Sequence, residues 1–194
     1  GFVAGMGGSG IGANFVAEFI TDECKIPYVI GKSYFIPAWI DKNTLFVASS
    51  YSGNTEETLQ ALAAAEKTGC KIVCVCSGGK LLAIAKEKNY DYIAVPGNWP
   101  SPRACLGYSV ACQLYVVYKL GIISKTAIDQ LKSSIDLIKY DQEEIKNKAK
   151  KIAEIIQGKI PYIYTTDRME SVALRFRQQI NENSKMLCWH HVVP

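Results

Sequence analysis

Short apolar runs rich in β-branched residues alternate along the chain with stretches whose apolar positions recur every three to four residues. Phe2–Ala4, Tyr28–Ile30, Leu45–Ala48, Ile72–Val75 and Tyr92–Val95 read as strands. Ile11–Ile20, Thr55–Lys67 and Leu81–Lys88 read as helices, the first with Phe15, Val16 and Phe19 on one face. A longer helix is expected over Ala104–Lys119, after a loop punctuated by Pro100 and Pro102. Strands separated by helices predict an α/β fold, a parallel sheet with helices on both faces. Leu45-Phe46-Val47-Ala48 and Ile72-Val73-Cys74-Val75 are apolar throughout rather than alternating, as strands covered on both sides require.

After Gly121 the texture changes. Residues 124–157 are rich in Lys and Glu, with Ile128, Leu131, Ile135 and Ile138 at helical spacing, then Ile145, Ile152 and Ile156. Two amphipathic helices with solvated outer faces are expected, and the lysines read as that face rather than as a binding patch. Gly158 ends the segment, Ile160–Tyr164 reads as a strand, Thr165-Thr166-Asp167 as a loop, and Met169–Met186 as a helix. This repeats the strand–loop–helix plan of residues 2–20. The expected organisation is a first domain over 1–123, a helical linker over 124–157 and the start of a second, similar domain over 158–194. The absence of an initiating Met, a first segment that reads as a buried strand, and an end without a polar tail predict a piece of a longer protein.

Composition narrows the class. With 48% hydrophobic and 21% charged residues, the chain is neither disordered nor collagen-like. A net charge of +4 without a basic run argues against nucleic acid as a partner. The longest apolar stretch, Ser109–Ile123, is interrupted by Gln113 and Lys119 and falls short of the ~20 residues that cross a bilayer, so no membrane partner is expected. Seven cysteines, with no visible secretion signal, predict reduced thiols and a cytoplasmic protein. Cys74 and Cys76 fall in a strand-like run with no histidine nearby. They read as small buried hydrophobes, and no metal site is expected.

Two turns carry candidate chemistry. Gly5-Met6-Gly7-Gly8-Ser9-Gly10 lies after a strand and before a helix, where glycines admit a ligand to the backbone and the helix N-terminus attracts an anion. Gly5, Gly7 and Gly10 satisfy a dinucleotide spacing, but the second strand ends Ile30-Gly31-Lys32-Ser33 without the acidic residue that holds a ribose. No cofactor is therefore expected. The second turn is Ser49-Ser50-Tyr51-Ser52-Gly53-Asn54-Thr55. Its plain reading is helix capping, with Asn54 at the N-cap and Glu57 three residues on. Capping leaves the clustering of Ser50, Ser52 and Thr55 unexplained. Hydroxyls and N–H groups at a helix start suit a phosphate, and without a lysine the loop is not of the Walker type.

The pair GMGGSG and SYSGNTEET resembles the sugar isomerase (SIS) domain. Together with Pro102-Arg103 and the segment Ala173–Lys185, it resembles the bifunctional phosphoglucose/phosphomannose isomerases, which contain two SIS domains. The resemblance implies an SIS-type three-layer sandwich, a homodimer, and interconversion of glucose 6-phosphate or mannose 6-phosphate with fructose 6-phosphate. It places Gly8 and Ser9 at the sugar-phosphate site, Ser50, Ser52 and Thr55 on the phosphate, Arg103 on the enediolate and Glu182 as the base. It also implies a ring-opening histidine and a lysine; the histidine is expected beyond Pro194, not at His190 or His191. The residues agree: an aldose–ketose isomerase needs a base and a fixed cation, but no redox cofactor. Glu182 lies four residues after Gln178 and seven after Arg175, so all three are expected to share a helix face. The alternatives are a sugar-phosphate-binding regulator and an aminosugar-phosphate isomerase of the same fold.

Overall fold

The apolar runs become a parallel sheet of five strands: β1 (Phe2–Ala4), β2 (Val29–Gly31), β3 (Leu45–Ser49), β4 (Lys71–Cys76) and β5 (Asp91–Ala94). The computed structural model describes residues 1–193, and it separates into two units, Gly1–Ser124 and Lys125–Pro194. In the first unit the strand order is β2-β1-β3-β4-β5. Four helices connect and cover the strands: α1 (Gly7–Ile20), α2 (Glu56–Glu66), α3 (Gly79–Glu87) and α4 (Leu106–Lys119). Each lies within a few residues of its expected bounds.

Alternation along each strand divides the core into two layers. Phe2, Ala4, Phe46, Ala48, Ile72 and Cys74 face Ala61, Leu62 and Ala65 of α2 and Leu81 and Ala85 of α3. Val3, Val47 and Val75 pack with Ala13 of α1 and Val116 of α4 on the other side. Phe2 stacks on Phe46 at 5.6 Å between ring centroids. Each large apolar side chain so covered contributes about 1.5–3 kcal/mol. The α1–α4 contact is close because of Gly12, where a Cβ would lie 2.2 Å from Ser109 Oγ.

The second unit holds α5 (Lys125–Tyr140), α6 (Gln142–Ile156), β6 (Tyr162–Thr165), α7 (Glu170–Gln179) and β7 (Trp189–Val192). Two expectations need correction here. The helix expected to reach Met186 stops at Gln179 and continues as one π-turn, Ile180–Ser184, closed by Lys185 in the left-handed region. Residues 189–192, to which the sequence assigned no element, form a strand parallel to β6 with Tyr162 opposite Trp189. The mixed pattern Trp-His-His-Val hid it. With α7 between them, β6 and β7 repeat the connection of β1 through α1 to β2.

Candidate functional site

From β2 the chain crosses behind β1 to reach β3, so the order reverses between β1 and β3. Such a switch point opens a crevice beyond the carboxyl ends of the strands. A cavity of about 220 Å³ lies there, lined by Met6, Gly7, Gly8 and Ser9 after β1 and by Ser49, Tyr51, Ser52 and Thr55 at the end of β3. Val75, Cys76 and Val95 close its floor, and Pro102, Cys105, Tyr108 and Ser109 its far wall.

The turn after β1 delivers the start of α1 to this cavity. Met6, its N-cap, makes no side-chain cap bond, and the first turn of α1 contains no acidic residue. Ser9 and Gly10 donate their N–H groups to the Met6 carbonyl at 3.0 and 3.1 Å. The Ser9 carbonyl accepts from Ser109 Oγ and Gln113 Nε2, both at 3.1 Å. Gln113, fully buried, also donates to Ser109 Oγ at 2.7 Å and accepts from the Tyr28 hydroxyl at 3.1 Å. The lone amide of an apolar helix thus fixes the backbone of the glycine turn. Burial also pushes the Tyr28 phenol well above its usual range, so it remains a donor.

The turn after β3 delivers α2. Ser50 Oγ lies 2.8 Å from Thr55 Oγ1 and accepts from the Gly53 N–H at 3.1 Å. Ser50 is buried and faces this internal bracket, whereas Ser52 and Thr55 reach the cavity wall. Gly53 adopts φ +69°, and a Cβ there would stand 1.9 Å from the Gly78 carbonyl. No other residue fits that position.

The capping expectation is corrected. Thr55, not Asn54, is the N-cap of α2, and it makes no side-chain cap bond. Asn54 Oδ1 instead accepts from the Lys80 N–H at 3.0 Å, capping α3. The starts of α1 and α2 are therefore both without side-chain caps and both meet the cavity. Two helix starts of partial positive charge, with the Ser52 and Thr55 hydroxyls on the same cavity, suit an anion such as phosphate. The acidic pair in the first turn of α2 lies towards Tyr34, whose phenol Glu57 and then Glu56 push up. Cys76 in the floor is a neutral thiol, its pKa raised mainly by burial.

Arg103 sits in a single 3₁₀ turn, Pro102–Cys105, between two cavity-lining residues and is itself exposed. Gly8 faces that turn: a Cβ on it would lie 3.5 Å from the Pro102 carbonyl. Glu182 belongs to the second unit, exposed in the π-turn. Arg175 and Gln178 lie on α7 and Glu182 in the π-turn that continues it, so the expected α-helical spacing does not extend to Glu182; such turns are frequent at functional sites. Among the described residues no group of three His, Cys, Asp or Glu side chains converges as a metal site. No helix among them is long and apolar enough to cross a membrane. Tyr51, Tyr108 and Gln113 escaped the sequence reading as site residues. For Gln113 there was a signal, a single amide in an otherwise apolar stretch.

Residues 145–194 match the family described as the bacterial phospho-glucose isomerase C-terminal SIS domain. A bifunctional phosphoglucose/phosphomannose isomerase of Caldicellulosiruptor bescii is 40% identical over 98% of the chain and 58% of its own length. One from Aquifex aeolicus is 36% identical over 98% and 57%. The chain is similar to this family over nearly its whole length. It spans a little over half the length of these SIS-domain relatives. A D-glucosamine-6-phosphate 4-epimerase of Sulfolobus acidocaldarius is 31% identical over 98% of the chain and 59% of its own. Among solved structures, the C-terminal domain of glucosamine-fructose-6-phosphate aminotransferase from Francisella tularensis superposes with a TM-score of 0.76 at 18% identity, over 98% of this chain and 57% of that one. That likeness extends to the fold.

Proposed function

We propose that the whole protein interconverts glucose 6-phosphate, and mannose 6-phosphate, with fructose 6-phosphate through an enediolate. The observation that carries this reading is the meeting of two helix starts without side-chain caps with the Ser52 and Thr55 hydroxyls in one cavity at the sheet's switch point. The ester phosphate docks there, with Ser50 holding Thr55 in place. Gly8 and Ser9 border the sugar. Glu182 takes the C2 proton of the open-chain aldose, the electron pair moves onto the carbonyl oxygen, and Arg103 offsets the charge of the resulting enediolate. The proton returns to C1 while the O2 hydroxyl proton passes to O1, so the carbonyl forms at C2 and a hydroxyl at C1. No redox step is needed, because oxidation at C2 balances reduction at C1. Residues 158–194 begin a second SIS domain joined through helices over 124–157, and the protein works as a cytoplasmic homodimer.

The test uses the full-length protein and the Glu182→Gln variant, which keeps the side-chain volume and removes the base. Isomerisation should fall about 10²–10⁴-fold, as for loss of a general base, while sugar phosphate still binds. Exchange of the C2 deuteron of labelled glucose 6-phosphate with water reads the proton-transfer step directly. Undiminished exchange would remove Glu182 from the mechanism. The 31% identical 4-epimerase supports a second reading, action on an aminosugar phosphate. Glucosamine 6-phosphate followed by NMR separates the two: conversion at C4 without any fructose 6-phosphate would favour it.

A further inference from the structure

The phosphate-holding turn and the Arg103 turn are far apart in sequence, yet one side chain joins them. Tyr51 lies between Ser50 and Ser52. Its carbonyl accepts from the Ser77 N–H at 2.8 Å and from Ser77 Oγ at 2.6 Å, which fixes its backbone to the end of β4. Its ring borders the cavity, and its hydroxyl reaches the loop after β5. There the hydroxyl donates to the Pro96 carbonyl at 3.1 Å and accepts from the Trp99 N–H at 3.4 Å. A phenol can donate once and accept as well, and this one does both within a single loop. Trp99 is held a second time: its indole Nε1 donates to the Tyr108 hydroxyl at 3.2 Å, in the first turn of α4. The segment 96–101 is thus clamped by two tyrosines that both line the cavity.

That clamp is transmitted to Arg103. Only Pro100, Ser101 and Pro102 separate Trp99 from the arginine, and each proline fixes its own φ while restricting the residue before it. The Ser101 carbonyl accepts from the Ala104 N–H at 3.0 Å, closing the turn. A tether this short and stiff moves as one piece, so a shift at Trp99 displaces the guanidinium.

We propose that Tyr51 is a positioning residue that couples the phosphate-holding turn to the placement of Arg103, so that phosphate seated against Ser52 and Thr55 orders the segment carrying the cation. The proposal rests on the sugar-phosphate reading above. It predicts that a phosphorylated substrate improves catalysis at the sugar end beyond supplying affinity, and that the hydroxyl of Tyr51 is the link.

The experiment uses the full-length protein and Tyr51→Phe, which keeps the ring and removes both hydroxyl bonds. kcat should fall roughly 10- to 100-fold, the scale of misplacing a catalytic group by about an ångström. KM and the affinity for inorganic phosphate should stay within about twofold. A second readout is the emission of Trp99, in a background where every other tryptophan of the full-length protein, Trp39 and Trp189 among them, is replaced by Phe. Inorganic phosphate should shift that emission in the parent, and Tyr51→Phe should abolish the shift while calorimetry still registers binding. A purely structural role for Tyr51 would lower the melting temperature and leave the Trp99 response intact. Tyr108→Phe, which frees the indole, should reduce kcat in the same direction, and it serves if Tyr51→Phe does not fold. A kcat within about twofold of the parent, or a persisting Trp99 shift, would overturn the coupling. A parent that binds phosphate but turns over no sugar phosphate fails the isomerase reading alone, and the Trp99 response then decides the coupling. A parent that binds no phosphate fails both.

Discussion

The chain contains the same local plan twice, and the two copies place different groups at the start of the helix. After β1 the turn is rich in glycine, Gly7 takes φ +49°, and no acidic residue stands in the first turn of α1. After β6 the turn is Thr165-Thr166-Asp167, without glycine. There the Asp167 carboxylate accepts from the Arg168 N–H at 2.8 Å, and Glu170 follows in the first turn of α7. That bond lies in a 3₁₀ turn, Asp167–Met169, that precedes α7, so carboxylates stand before this helix and in its first turn where α1 has none. Strand–turn–helix topology alone does not make a phosphate site. The composition of the turn sets what stands before the helix: glycines before α1, hydroxyls before α2 and a carboxylate before α7.

The largest effect that would break this contrast is at Gly53. Gly53→Ala demands a left-handed alanine and drives its Cβ into the Gly78 carbonyl. The first unit should lose about 2–5 kcal/mol in urea unfolding, with phosphate affinity falling as the turn shifts. Near-parental stability would mean that the turn relaxes freely and does not hold the site. Next comes the contrast itself. Ser52→Ala or Thr55→Ala should weaken binding of inorganic phosphate by about 1.5–3 kcal/mol, the worth of a hydrogen bond to a charged group. Asp167→Ala should leave that affinity unchanged. If Asp167→Ala alters phosphate binding as strongly as Ser52→Ala, the two turns are not distinguished in this way.

The smallest effect sharpens the picture of the sheet beneath the site. Burial pushes the Cys74 thiol from an ordinary 9.0 up to about 12. Between those values the unfolded chain releases a proton that the folded one keeps, so stability falls as pH rises through this window, by at most about 1.4 kcal/mol per pH unit. Cys74→Ala should flatten the decline between pH 9 and 11 relative to the parent, measured by urea titration. An equal slope in both proteins would place the titrating group elsewhere.

The sequence by itself determined the kinds of element and the character of the two turns. Continuous apolar runs such as Leu45–Ala48, short and followed by turn residues, read as strands covered on both sides. Glycine and hydroxyl clusters between a strand and a helix announce an open helix start. These features are local, set by periodicity and backbone preference, and a single chain displays them. Tertiary structure decided what depends on distant partners: the reversal of strand order between β1 and β3, the inward turn of Ser50, and the capping of α3 rather than α2 by Asn54. It also decided the pairing of β7 with β6, the π-turn that carries Glu182, and the reach of Tyr51 across 45 residues to Pro96. A polar side chain takes whichever partner the packed core brings within about 3 Å, and that choice is written in the assembled sheet and helices rather than in the residues beside it.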